Sequence, residues 1–348
     1  MSADRSCRGK NSRSTQYWIL LGIVAALTLL TGMYSLSVGP TVVHRHEYWQ
    51  AFTQFNNASD AHFVLRELRL PRAVLAGLVG ACLATSGALM QGVTRNPLAG
   101  PSIMGLSAGG TLCLLIGLLV NPRLGYSAAI GLSLGGAVCG YLTVCSVTLL
   151  SRRGMTPAGF ALAGAVVSAM FGAITHGLTI YFSLHDEMLY WTVGGVSHVS
   201  WAQVFVLLPV CLIGLVVALA LSPAVTVLNL GEEIAAGLGQ RTTLTRLGAT
   251  FAVLLLTGGA IAVAGPVGFV GLMVPHFARM FAGVDYRRII PLSVALGACL
   301  TMIADIASRS LVEGREVPLG LFTTLIGAPF FVYLARRRSS ARNLDEGE

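Results

Sequence analysis

About ten apolar runs, each long enough to cross a bilayer as a helix, follow one another along this chain with short polar breaks between them. The first goes from Tyr17 to Val38; the second is opened by Arg66-Glu-Leu-Arg-Leu-Pro-Arg72 and ends near Gln91. The others lie near Ile103 to Val120, Tyr126 to Leu150, Pro157 to Ser183, Trp201 to Leu221, Leu244 to Val263, Val267 to Phe281, Ile289 to Leu311 and Leu319 to Ala335. Only 11% of the residues are charged, where soluble domains carry about 25%. The expected fold is an all-α polytopic membrane protein of about ten transmembrane helices, with a polar tail over 1–16, a membrane domain over 17–338 and a second tail over 339–348.

The formal net charge of +8 could suggest a nucleic-acid partner, but the arginines stand in short clusters between apolar runs, where positive charge orients membrane segments, so nucleic acid is discounted. The basic start (Arg5, Arg8, Lys10, Arg13) resembles that of a signal peptide. The run behind it is long enough to span and no small-residue cleavage site follows, so it is read as a retained first helix. With the N-terminus placed inside, sixteen of the 23 basic residues fall on the cytoplasmic side, and an even number of spans returns the C-terminus there.

The small residues Gly77, Gly80, Ala81, Ala84, Ser86, Gly87 and Ala88 crowd the second run and let helices approach closely, as a packed membrane bundle requires. Ala99-Gly-Pro101 falls at a cytoplasmic break and Ala264-Gly-Pro266 at an external one, a weak sign of two units repeated in inverted orientation. Residues 39–66 are too polar for lipid, and His44 and His46 beside Glu47 are read as solvated rather than as metal ligands.

The longest polar interruption of the second half is Leu228 to Arg241. Leu230, Ile234 and Leu238 recur every fourth residue, while Glu232, Glu233 and Gln240 project elsewhere, so this stretch is expected to form a short amphipathic helix lying along the membrane surface. Gly237 and Gly239 let the chain turn back into the next span. By the charge count this loop is cytoplasmic.

No Walker A, HExxH, GxSxG or CxxC pattern is present, and six of the seven cysteines fall inside apolar runs, where they read as packing residues. Ionisable groups within spans are costly and mark partners or water-filled paths. Here they are His176, His276, Arg279, Asp305 and Arg309. Arg279 and Arg309 lie near span ends and can snorkel; Asp305 and Arg309, four apart, are placed to pair along one helix face. His176 is deepest, either lining a path or bonded to a neighbouring helix, and Asp305 alone is too little for a proton relay.

Eight motifs, in order, resemble the permease subunits of the iron-siderophore, haem and cobalamin ABC importers. They are Arg69-Leu-Pro-Arg72, Gly87-Ala-Leu-Met-Gln91, Asn96-Pro-Leu-Ala99, Leu230-Gly-Glu-Glu233 with Gly237-Leu-Gly239, Gly265-Pro-Val-Gly-Phe-Val-Gly271, Val274-Pro-His276 with Arg279, Ala304-Asp305, and Glu316-Val-Pro-Leu-Gly320 with Gly327-Ala-Pro329. The resemblance implies a dimeric ten-helix permease of the bacterial inner membrane, either two copies or this chain with a paralogue. Two ATPase subunits would bind ATP and Mg below it, and a periplasmic or lipid-anchored binding protein would dock above; this chain would hold no cofactor or metal and no ATPase of its own. It assigns Leu230, Gly231, Glu232, Glu233, Ala236, Leu238 and Gly239 to the ATPase contact. Arg69, Arg72 and Arg309 match arginines that meet acidic residues of the binding protein, Met155 and Thr156 match a cytoplasmic gate, and His176 falls on a path helix. The implied function is alternating-access import of a ferric siderophore, with haem or cobalamin as alternative cargo. Two other classes stay open: a secondary carrier, which would work without an ATPase partner, and an intramembrane enzyme, for which no facing nucleophile and base are found.

Overall fold

The computed structural model describes residues 2–39, 43–54, 59–150, 157–184, 194–197, 199–311 and 317–345. With no water in hydrocarbon to satisfy backbone groups, apolar runs of this length close their hydrogen bonds along themselves, and the described elements are all helical. In chain order they are α1 (Ser2–Ser37), α2 (Arg45–Thr53), α3 (Asp60–Phe63), a π-helical turn (Val64–Arg69), α4 (Leu70–Thr94), a 3-10 turn (Pro101–Met104), α5 (Leu106–Val120), α6 (Tyr126–Leu150) and α7 (Pro157–Tyr181). After these come α8 (Trp201–Leu230), α9 (Glu232–Gly237), α10 (Thr242–Ala264), α11 (Val270–Ala282), α12 (Tyr286–Ser310) and α13 (Leu319–Asp345). Among the described residues seven helices are long and apolar enough to span; α5, α13 and the 13-residue α11 complete the ten expected runs.

Local chemistry sets the boundaries. Pro71 stands in the first turn of α4, where its missing N–H costs nothing, and Arg95 ends that helix in the left-handed region at φ 52°. Ser200 donates its N–H to Gln203 Oε1 at 2.7 Å to open α8, and Asp285 Oδ1 accepts the Arg287 N–H at 3.0 Å to open α12. In the polar segment 39–66, expected only as a solvated stretch, the structure adds α2 and α3. The His44 N–H donates to Glu47 Oε2 at 2.7 Å, so this carboxylate caps α2.

The axis of the bundle is α4, contacted by α8, α10, α11 and α12. Of its most apolar stretch 89% is buried, against 17% for α1, so α4 lies inside the bundle and α1 along its outside. Close approach makes this possible. A Cβ added at Gly80 would strike the Gly297 carbonyl of α12, and one at Gly87 the Gly271 carbonyl of α11. Backbone therefore touches backbone on both sides, the contact small residues allow where burial from water offers no drive. Thr301 Oγ1 donates across the same seam to Ala76 O at 2.7 Å. The two Ala-Gly-Pro breaks fall at opposite ends of the bundle, one after α4 and the other after α10.

Gly87→Leu is therefore expected to abolish the monodisperse folded protein, because overpacking here has to move backbone and exceeds the usual cost of about 1–3 kcal/mol. Gly22→Leu, on a face of α1 with nothing within 4 Å, should leave the detergent melting temperature within about 2 °C of the parent. Size-exclusion profiles and thermal melts of the two variants compare these outcomes directly.

Candidate functional site

Two ends of the bundle carry the polar chemistry. At the first, Gly231 takes φ 145° and Gly239 φ 76°, conformations open to glycine, and between them the chain makes the single short helix α9. Ala235 is fully buried beneath it. Leu230, Ile234 and Leu238 are 58%, 52% and 71% exposed, so the apolar face expected from their spacing points away from the chain. Glu233, Ala236 and Gly239 are exposed beside them.

The scaffold behind α9 is polar. Gln240 Nε2 donates to Ala224 O at 2.9 Å and to Thr245 Oγ1 at 3.0 Å, joining α8 to α10. Arg246 Nη2 donates to Glu232 Oε2 at 2.7 Å, so Glu232 leans toward α10 while its side chain stays about half exposed. Neither Gln240 nor Arg246 was among the expected site residues. Their signal is faint, since Glu232 and Arg246 are fourteen residues apart across a turn and no helical spacing relates them.

At the opposite end Asp305 sits at 0% exposure between two guanidinium groups. Arg72 Nε meets its Oδ1 at 2.9 Å and Arg309 Nη2 its Oδ2 at 2.8 Å. The pairing of Asp305 with Arg309 follows from their spacing; the partnership with Arg72, 233 residues away, does not. Arg309 also donates to Val38 O at 2.9 Å and to Ser35 Oγ at 2.6 Å, and Arg69 Nη1 donates to Leu36 O at 2.8 Å. Three helices, α1, α4 and α12, are thereby joined.

The expectation of three arginines presented to a partner needs correction in one respect. Arg69 and Arg72 are 5% and 7% exposed and the Arg309 side chain 4%, so these groups lie beneath the surface and bond within the chain. Arg309 does not snorkel, because the buried carboxylate attracts it inward. Arg279 likewise turns in, donating to Gln91 Oε1, whose Nε2 reaches Leu272 O at 3.1 Å.

His176 is exposed on α7, beside Gly172 and Gly177, which have open space where a Cβ would be. Among the described residues none hydrogen-bonds to it. His276, in the middle of α11 rather than at a helix end, meets the Phe330 ring edge-on at 5.5 Å. Met155 and Thr156 lie outside the described residues.

The model of the FecCD transport family matches residues 27–337. The chain belongs to the FecCD transport family. It is 42% identical over 326 residues to the iron(3+)-hydroxamate import system permease protein FhuB of Bacillus subtilis (strain 168), covering 93% of this chain and 85% of that protein. The hemin transport system permease protein HmuU of Yersinia pestis is 35% identical over 335 residues, with 93% and 97% covered. Among solved structures, one described as a metal-chelate type ABC transporter in an inward-facing conformation superposes with a TM-score of 0.78 at 25% identity, covering 91% of this chain and 99% of that one. This FecCD-family chain is thus a multi-pass membrane permease of the ABC import type, as its eight motifs imply.

Removing the shared carboxylate should be costly in such a permease. Asp305→Asn leaves two buried guanidinium groups without their counter-charge and is expected to destabilise the protein by about 3–5 kcal/mol. Replacing all three members by apolar residues (Arg72→Met, Asp305→Leu, Arg309→Met) should cost less than the single change. Melting of both variants in the same detergent orders them, and a more stable Asp305→Asn would contradict the geometry.

Proposed function

We propose that this permease imports a ferric siderophore across the bacterial inner membrane, driven by ATPase subunits that bind ATP and Mg and seat against α9. The observation that carries this is the uncovered face of Leu230, Ile234 and Leu238, held in place by Gln240 and by the Glu232 to Arg246 pair. Three large apolar side chains turned outward, Leu230 at the end of α8, Ile234 on α9 and Leu238 just after it, suit a socket on a rigid partner, with Glu233, Ala236 and Gly239 completing the contact. The excess of basic residues on the same side as α9 supports a cytoplasmic placement of that end and of both termini.

A second permease subunit, identical or related, covers the α7 face around His176, Gly172 and Gly177, and the path runs between the two. A histidine and bare glycines suit a protein or water-lined surface better than lipid. At the other end the soluble binding protein docks over Arg69, Arg72 and Arg309. The buried network of Arg72, Asp305 and Arg309, with the Arg69 bond to Leu36 O beside it, gives that end a fixed shape for a rigid partner to meet. Closure of the ATPases moves α9, and α8 and α10 tilt with it through Gln240; cargo released above then passes inward.

Ferric siderophore is favoured as cargo by the iron-hydroxamate relative; haem is the second reading, favoured by the hemin relative. Uptake of radioiron, given as a ferric siderophore to cells lacking only this chain and to the same cells with it restored, tests the cargo. Loss and recovery are expected; unchanged uptake after redundant importers are deleted, with hemin uptake lost instead, reverses the order of the two.

Coupling has its own test. Glu232→Arg with Glu233→Arg should leave the protein in the membrane but uncouple ATP hydrolysis from uptake. Ile234→Asp with Leu238→Asp, which spares the Arg246 pair, should lower ATPase co-purification at least tenfold. Normal uptake by both double variants would refute the assignment of α9.

A further inference from the structure

A cavity of about 540 Å³ opens at the α9 end, between the end of α4, α6, the start of α7 and α10. That volume lies within the range of about 300–1,000 Å³ typical of small-molecule sites. One wall is apolar, formed by Met90, Val93, Met104, Tyr141, Phe160 and Leu247; the rim is polar and includes Arg95 and Arg246. Arg246 already shares its charge with Glu232, whereas among the described residues no carboxylate pairs with Arg95. The rim therefore carries an uncompensated positive charge.

Arg95 caps α4 at φ 52° and ψ 28°, a conformation in which helices usually end on glycine. An arginine there accepts backbone strain, and its exposed side chain lies at the cavity. Leu247 both lines the cavity and is 62% exposed, and Leu244, one turn earlier on α10, is 56% exposed. The apolar wall is thus continuous with the exposed outer surface of the helix. Cation, polar rim and apolar wall succeed one another as headgroup and acyl chain do at a membrane surface.

We propose that this cavity binds an anionic phospholipid, its phosphate on Arg95 and Arg246 and an acyl chain along Leu247, Met104 and Phe160. The site lies beyond the proposed transport function and needs the bilayer but no ATPase, so either idea stands if the other fails. Arg246 serves both the phosphate and Glu232, which links lipid occupancy to the seating of α9.

The test uses the full chain in nanodiscs of equal phosphatidylglycerol and phosphatidylcholine, stripped stepwise with detergent, with retained lipid counted by mass spectrometry. Preferential retention of phosphatidylglycerol is expected, falling about tenfold in Arg95→Gln on loss of a charged hydrogen bond and persisting in Arg95→Lys. Leu247→Trp, which fills the apolar wall and leaves both cations, should also release it. Equal retention of the two lipids by the parent chain, or unchanged retention in both Arg95→Gln and Leu247→Trp, overturns the proposal. Arg95-dependent binding of inorganic phosphate to the lipid-free chain, without lipid preference, would instead mean a soluble-anion site and overturn the lipid assignment.

Discussion

The carboxylate of Asp305, shut away from solvent, fixes the relation of three helices at one end of the bundle. Each oxygen faces a guanidinium, one from α4 and one from its own helix, and the second of these also holds the end of α1 through Ser35 and Val38. A lone charge in such a place would cost several kcal/mol, so the three groups are stable only together. This ties the outermost helix to the innermost, although α1 buries little of its own surface.

From that fixed end the axis descends along α4 by backbone contact. Where glycine meets glycine, at Gly80 with Gly297 and Gly87 with Gly271, the helices have no compressible side chain between them. A displacement of α11 or α12 is therefore felt by α4 within a fraction of an ångström. Gln91 prolongs the contact with a polar link, accepting from Arg279 and donating to α11 carbonyls. The α9 end is built otherwise. Its short helix is held by one glutamine and one half-exposed ion pair, and pairs of that exposure contribute about 0–1 kcal/mol. The bundle is stiff at the Asp305 end and compliant at the α9 end.

The parts of this design that were legible in the sequence are those with a period or a short spacing. Span lengths gave the ten runs, the fourfold spacing of Leu230, Ile234 and Leu238 gave α9 and its outward face, and the four-residue step gave the pairing of Asp305 with Arg309. What stayed hidden depends on which helices become neighbours. Arg72 reaches Asp305, Arg246 reaches Glu232 and Gln240 reaches Ala224 only after folding, and no local pattern announces them. The same blindness placed Arg69, Arg72 and Arg309 at the surface: a basic residue at a span end reads as a snorkelling one until a buried carboxylate is known to lie within reach. In the segment 39–66 polarity excludes lipid but does not announce the cap formed by His44 and Glu47, which opens α2.

The contrast between the two ends bears on where energy can enter. A partner pushing on the Asp305 end meets a buried ionic network that must be broken before anything moves. A partner pushing on α9 meets a small helix whose outward face is apolar and whose inward face is pinned at Ala235, so the load passes to α8 and α10 through Gln240 and Arg246. In the proposed mechanism docking and driving are thus separated by stiffness as well as by distance. The end that recognises the binding protein holds its shape while the end that receives the ATPase moves. A cation shared between α9 and an inner-leaflet phosphate would then lie at the compliant end, where a small change in charge has the most mechanical effect.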